Sequence, residues 1–431
     1  MKHITTVKNL AAGIGVFTAL SLVASFCNFL FNFTLIRLLP AAEFRDLTLA
    51  NNLINIFGNL FVALNIVSIA VFYISKDQQA SIIRACQKLI YVLYVILLGL
   101  CVIFSGAVQQ RTGLHDAVIL NVTLAVIFFS IPVMVLNAIY LGMNRFNRSA
   151  VLGVCLAFGR MLLGVAGAIL VATRKDVAAV AGILLVFLIV FTIFILFEKE
   201  QFRHQSFEVF KRVWEAPIHV LKKHRLLVVS SVVYALTINF LFGLDLFTFG
   251  QFFSNHQSAD YAAVSIIGKL SFFFIAPISL YLAAKQQQAI TNRPAIALKT
   301  SIAVNILIAL VGVVLSVLPL SLISLLVHRP VTDINAHYLL LSILFNGTVV
   351  LTNHQLIEAI IGNRQRTALV VTMLLLAVNG TMFLSFHTLA KVMHHPQAST
   401  LALGLPAATM ILASATLFAA THIFRKRSVS L

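Results

Sequence analysis

The sequence predicts an all-α polytopic membrane protein of about twelve transmembrane helices, arranged as two six-helix lobes related by a pseudo-two-fold axis along the membrane normal. Three observations predict it. Sixty per cent of the 431 residues are apolar and only 10% are charged, giving a mean hydropathy of +0.99, beyond what a surface facing water tolerates. Apolar stretches of roughly 20 residues recur along the whole chain, and in hydrocarbon only helices or closed barrels satisfy their backbone hydrogen bonds. These stretches are too long and too uniformly apolar for barrel strands. Lys and Arg also concentrate in alternate connections, as they do when cytoplasmic loops retain them.

Taken in order, the spans fall at 10–36, 48–74, 87–107, 117–142, 150–172, 177–198, 226–250, 259–284, 300–327, 336–361, 367–390 and 399–424. The first follows Lys2 and Lys8 and, at more than 25 residues, exceeds the apolar core of a signal peptide, so it reads as an uncleaved helix. With that start inside, 22 of the 31 Lys and Arg residues lie in inner segments and seven at outer edges. The last two, Arg160 and Lys269, fall inside spans. Both termini are therefore expected in the cytoplasm, with the chain in a bacterial inner (cytoplasmic) membrane. The bias accounts for much of the net charge of +18. That charge is no sign of nucleic-acid binding, because no soluble basic domain carries it.

The one sizeable hydrophilic stretch is the inner segment 199–225, which separates an N-terminal lobe, 1–198, from a C-terminal lobe, 226–431. Within it Phe207, Phe210, Val213 and Trp214 recur at helical spacing among charges, the pattern of an amphipathic linker helix lying on the inner leaflet. Asn28-Phe29-Leu30-Phe31 in span 1 is echoed by Asn239-Phe240-Leu241-Phe242 in span 7. Each copy is followed by an outer loop and an aromatic residue, Phe44 or Tyr261. Six spans apart, the copies run in the same direction, as parallel repeats do.

Ionisable side chains at membrane depth are expensive, so each marks a candidate site. Lys269 lies about ten residues into span 8, and Arg160 is central in span 5. Asp245 is in the outer half of span 7, and the short connection to span 8 lets it pair with Lys269 directly or through water. Arg37 and Arg45, with Glu43 and Asp46, stand at the outer mouth; Glu358 is near the inner end of span 10, one turn from His354. One reading is a wet central cavity whose cationic wall of Arg160, Lys269, Arg37 and Arg45 attracts an anionic head group such as a diphosphate. Asp245 and Glu358 would then balance charge or couple an ion. The other reading is that Asp245 and Lys269 lock two helices together while Arg160 snorkels or binds a carbonyl.

Asn51, Asn55 and Asn59 repeat every four residues in span 2, with Asn52 beside them, and Asn28 and Asn32 form a shorter version in span 1. Such stripes either line the same cavity or hydrogen-bond to other helices. The 35 Phe residues fit lipid contact and packing. There is no phosphate-cradling glycine loop, zinc motif or Ser-His-Asp set. Cys27, Cys86, Cys101 and Cys155 lack paired or ligand spacing, and His394 with His395 reads as a solvated turn. No catalytic residue, cofactor or metal is expected.

Three stretches resemble the polysaccharide-transporter (Wzx-type oligosaccharide flippase) branch of the MOP flippase superfamily. They are Arg37-Leu38-Leu39-Pro40-Ala41-Ala42-Glu43-Phe44; Gly142-Met143-Asn144-Arg145-Phe146 with Arg160-Met161-Leu162-Leu163-Gly164; and Asp245 through Ala259-Asp260-Tyr261-Ala262-Ala263 to Gly268-Lys269. Arg45 and Ala259 stand where that family usually has glycine, which marks a divergent member. The resemblance implies an exporter that moves an undecaprenyl-diphosphate-linked oligosaccharide from the cytoplasmic to the periplasmic leaflet by alternating access, for surface polysaccharide synthesis. It implies that Arg160, Lys269 and Arg37 face a cationic lumen with Asp245 beside them. It also sets polysaccharide polymerase machinery, besides the lipid bilayer, among the partners such a protein would meet.

Two other classes compete. A multidrug or small-molecule exporter of the same superfamily shares the layout; a major-facilitator protein would carry a Gly/Asp/Arg-rich loop where this chain has Ser75-Lys76-Asp77-Gln78-Gln79-Ala80. A membrane glycan polymerase or ligase needs a long outer loop, whereas the outer connections here reach only around a dozen residues.

Overall fold

The computed structural model describes residues 2–71, 76–142, 145–197, 220–292, 294–328, 334–362, 364–390 and 395–423. The expected linker helix, with Phe207, Phe210, Val213 and Trp214, lies outside these residues, as does His394. Each expected span is matched by a helix. The first half contains α1 (Lys2–Leu38), α2 (Ala41–Gly58, a 3₁₀ turn Asn59–Phe61, then Val62–Ala70) and α3 (Lys76–Ile103 with Ser105–Thr112). It continues with α4 (Ala117–Gly142), α5 (Phe146–Gly159, a π turn Arg160–Gly164, then Val165–Leu170) and α6 (Lys175–Phe197). The second half contains α7 (Val220–Phe252), α8 (Asn255–Asn292), α9 (Pro294–Ser316 and Leu320–Val327), α10 (Ala336–Ile361), α11 (Gln365–Ala390) and α12 (His395–Phe418, then a π turn Ala419–Ile423).

Among the described residues, ten of these helices are long and apolar enough to cross a membrane, and eleven when the two arms of α9 count as one span. The remaining one, α8, has 38 residues, about 57 Å at 1.5 Å per residue. The single span expected at 300–327 is broken in two, and α9 bends by 92° between its arms. Pro319 caps the second arm with φ −57° and ψ 135°. It has no N–H to give and pushes the residue before it out of helical conformation.

The packing repeats with a shift of six helices. α1 lies on α5 as α7 lies on α11, α2 on α4 as α8 on α10, and α4 on α6 as α10 on α12. Between the halves α1 meets α8 while α7 meets α2, and α2 meets α8. Exchanging each helix with its counterpart six places on leaves this set unchanged, as a two-fold relation between parallel repeats requires. α2, α7 and α10 are enclosed, whereas α1, α5 and α11 turn much of their apolar surface outward.

On the side that holds the α1–α2 and α7–α8 connections, the halves touch backbone to backbone. Gly113, in the left-handed region at φ 78°, packs so closely on Gly250 that an added Cβ would lie 2.4 Å from the Gly250 carbonyl oxygen. Only glycine tolerates both that φ and that contact. Beneath this contact Phe249 stacks on Tyr261 at 3.9 Å between ring centroids, joining α7 to α8 one turn from Asp245.

Candidate functional site

The membrane-depth charges meet because of helix geometry. Asp245 is seven residues from the end of α7, about 10 Å down, and Tyr261 is six residues into α8, about 9 Å down. Lys269 lies deeper, but side chains lean toward the N-terminus of their helix, and on α8 that direction leads back to Asp245. Asp245 is fully buried and Lys269 is 5% exposed. The Asp245 Oδ1 atom accepts the N–H of Leu246 at 2.8 Å and faces the Lys269 ammonium at 3.5 Å. The other oxygen accepts from the Tyr261 hydroxyl at 3.0 Å and from Asn346 at 3.5 Å. The ammonium sits over the Phe242 ring, 4.6 Å from its centroid, and makes no hydrogen bond of its own. Phe242 thus supplies a cation–π contact where water is excluded. The site is compact because Gly268 lets α8 touch α10; a Cβ there would lie 2.3 Å from Ser342 Oγ.

A second cation lies in the first half. Arg160 opens the π turn of α5, a local widening that recurs at functional positions in helices. Its Nη2 donates to Asn51 Oδ1 at 3.1 Å, and its guanidinium lies 5.9 Å from the Phe31 ring centroid. Its Nε is enclosed without a hydrogen-bond partner. Among the described residues no hydrogen bond or ion pair joins Arg160 to the Asp245–Lys269 pair.

The asparagine stripe splits. Asn51 and Asn52 are buried, Asn55 is half-buried, and α2 leaves regular helix at Asn59, which opens the 3₁₀ turn. The four-residue stacking of the stripe therefore holds only as far as Asn55, because a 3₁₀ turn has three residues per turn. The side chain of Asn59 lies outside those described. Asn28 and Asn32 are half-buried, and the Asn32 amide donates to the Asn28 carbonyl at 2.8 Å, within their own helix.

At the α1–α2 connection the basic residues act as struts. Arg37 is exposed and donates through Nη2 to the Leu325 carbonyl at 2.7 Å, at the end of the second arm of α9, while resting on Phe33 at 4.1 Å. Arg45, expected at an open mouth, is 1% exposed. It pairs with Asp46 at 2.6 Å and donates to Asn255 Oδ1 at 2.9 Å. Glu43 accepts the Lys175 N–H at 3.0 Å, a carboxylate at the positive end of the α6 dipole.

Glu358 is buried in a separate polar group toward the other end of α10. It accepts from Ser301 at 2.7 Å and lies 3.8 Å from His354. It is twelve residues along α10 from Asn346, about 18 Å, and so is not part of the Asp245 site. α10 is bonded on several faces: Asn353 accepts from Tyr234 at 2.5 Å, Gln355 donates to Asn305 at 2.9 Å and Thr352 meets Ser414 at 3.1 Å. Charge-based reading of the sequence missed Tyr261, Ser342, Asn346 and Asn353 as parts of these networks. Ser342, Asn346 and Asn353 share one helical face, and that spacing within an apolar span was the available signal. Among the described residues no three His, Cys, Asp or Glu side chains converge as metal ligands.

No protein-family model matches the chain, and no curated protein matches it in sequence. Solved structures do resemble it. A MOP superfamily transporter from Pyrococcus furiosus, described as having a binding pocket of reverse polarity that suggests a different function, is 12% identical over 98% of this chain and 96% of its own, with a TM-score of 0.57. An outward-facing multidrug resistance MATE family transporter of the same superfamily is 11% identical over 97% of each chain, with a TM-score of 0.57. The Vibrio cholerae MATE transporter VcmN in its bent form is 15% identical over 97% of this chain and 99% of its own, with a TM-score of 0.55. The likeness runs the full length of both partners and is a likeness of fold.

Proposed function

We propose that this chain, which shares the fold of solved MOP superfamily transporters, a MATE transporter among them, is an exporter of an anionic lipid-linked oligosaccharide carried on undecaprenyl diphosphate. It moves the head group between leaflets by alternating access of its two halves. The observation that carries the reading is a pair of under-satisfied cations at membrane depth. Lys269 Nζ and Arg160 Nε are both enclosed without a hydrogen bond. Buried polar groups are normally bonded, and exceptions call for an explanation; an anion offered in another state of the cycle would supply one. In the conformation described, the site is closed, with Lys269 held by Asp245 at 3.5 Å. Transport then requires a second conformation in which α7 and α8 part and Lys269 exchanges Asp245 for a diphosphate oxygen. Asp245, once released, balances charge or couples an ion.

A second reading, export of organic cations, is favoured by the multidrug transporter among the neighbours and by Asp245 lying beside Phe249 and Tyr261. Here the same opening would free the carboxylate instead. Thermal unfolding of the purified protein in detergent separates the two. Undecaprenyl diphosphate should raise the midpoint, and Lys269→Ala should remove the rise. A rise with tetraphenylphosphonium and none with undecaprenyl diphosphate would overturn the flippase reading, since only a ligand that binds the folded state stabilises it.

A further inference from the structure

A cavity of about 180 Å³ lies within the second half, between α7, α11 and α12. Its back wall is Leu244 and Thr248 of α7, its sides are Phe383 and Phe386 of α11, and Ala402 and Leu405 of α12 close it. Leu244 and Thr248 are 1% and 3% exposed. They turn away from the direction of Asp245 by about 100° and 60° around α7, from the helical repeat, so the cavity is distinct from the ion-pair site.

The cavity opens toward hydrocarbon. On α11 the exposed residues Val370, Met373, Leu374, Val378 and Leu384 fall on one face, and the rim residues Thr381 and Ser385, also exposed, lie on that same face. On α12 the rim residue Leu405 continues the exposed band of Ile411 and Leu412. In depth the lining runs from Phe386, four residues from the end of α11, to Pro406, eleven residues into α12, or about 6–17 Å from the helix ends. It therefore sits in the leaflet nearer the α1–α2 connection.

The wall offers little to water. Thr248 donates to the Leu244 carbonyl at 2.7 Å, and Asn379 donates to the Leu375 carbonyl at 2.8 Å and to Thr409 at 3.2 Å. With these groups satisfied inside the protein and the Thr381 and Ser385 hydroxyls confined to the exposed rim, the inner wall is chiefly carbon, and such a lining gains dispersion contacts from an apolar guest. The rim is continuous with the surface that meets the bilayer, where acyl chains are the neighbouring molecules. We infer that this niche seats one acyl chain of a bilayer phospholipid, inserted sideways against α7.

The full-length protein reconstituted in phosphatidylcholine vesicles, a fraction of whose lipids carry a diazirine on the acyl chain, tests this. After illumination, peptide mass spectrometry should find label on Leu244 and Thr248 as well as on the lipid-facing Met373 and Leu374. Ala402→Phe, which fills the niche, should lower back-wall labelling at least tenfold and leave Met373 and Leu374 unchanged. If that variant does not fold, Leu401→Phe, at a half-buried lining residue of α12, serves the same purpose. Label confined to Met373 and Leu374 in the wild type, or back-wall labelling unaltered by filling, would overturn the assignment.

Discussion

Arg45 and Asn255 stand 210 positions apart in sequence, yet the Arg45 Nη1 donates to Asn255 Oδ1 at 2.9 Å, tying the fifth residue of α2 to the first residue of α8. Because the same guanidinium bonds Asp46 through Nε and Nη2 at 3.0 and 2.6 Å, one buried side chain neutralises a carboxylate and joins the two halves. Arg45→Ala should lower stability by about 3–5 kcal/mol, because it leaves Asp46 enclosed and unpaired, and Asn255→Ala by about 1 kcal/mol. Lysine at position 45 should not rescue, since it lacks the planar fork that meets both partners. Chemical or thermal unfolding in detergent measures all three; equal stability of Arg45→Lys and wild type would contradict the strut.

The Asp245–Lys269 pair makes a different prediction. Asp245→Asn or Lys269→Met alone removes one partner of a buried pair and should cost about 3–5 kcal/mol, whereas replacing both by apolar residues of similar size should recover most of the loss. A double-mutant cycle on unfolding midpoints reads the coupling directly. Additive losses would mean the two groups do not depend on one another.

Gly113 takes a positive φ of 78° against the Gly250 backbone. Gly113→Ala should therefore destabilise by about 1–2 kcal/mol through the left-handed backbone alone, with more from the contact. Gly312, whose added Cβ meets nothing within 4 Å, is the control: alanine there should be neutral or slightly stabilising, as helix propensity dictates. Equal effects at the two positions would remove the close interface as the cause.

Asn51 bonds Arg160, while Asn55, one turn along, is half-buried. In a background with Cys27, Cys86, Cys101 and Cys155 replaced, a cysteine at Asn55 should react with a small water-soluble thiol reagent at least tenfold faster than one at Asn51. Complete protection at both positions would make the stripe a dry contact along its described length.

Much of this architecture was legible in the sequence. The twelve helices were readable because apolar runs of this length satisfy their backbone hydrogen bonds in lipid as helices, being too long for barrel strands. Asp245 and Lys269 were readable as neighbours because the connection between spans 7 and 8 is short, and the structure shortens it to two residues. Tyr261 and Asn346 were not singled out as partners, since neutral groups escape a reading driven by charge. The burial of Arg45 was hidden because its partners are an adjacent acid and an amide more than 200 positions away. The bend in α9 had its signal in Pro319, overlooked because the surrounding residues remain apolar enough to continue a span.

The central claim, that membrane-depth cations receive an anionic lipid-linked head group, is tested most directly by flipping in vesicles. The protein is reconstituted with a fluorescent undecaprenyl-diphosphate oligosaccharide, and a membrane-impermeant quencher follows its appearance in the opposite leaflet. Wild-type protein should exceed protein-free vesicles, and Lys269→Ala and Arg160→Ala should each slow transfer at least tenfold at equal reconstitution. Transfer at the wild-type rate in both variants would contradict it.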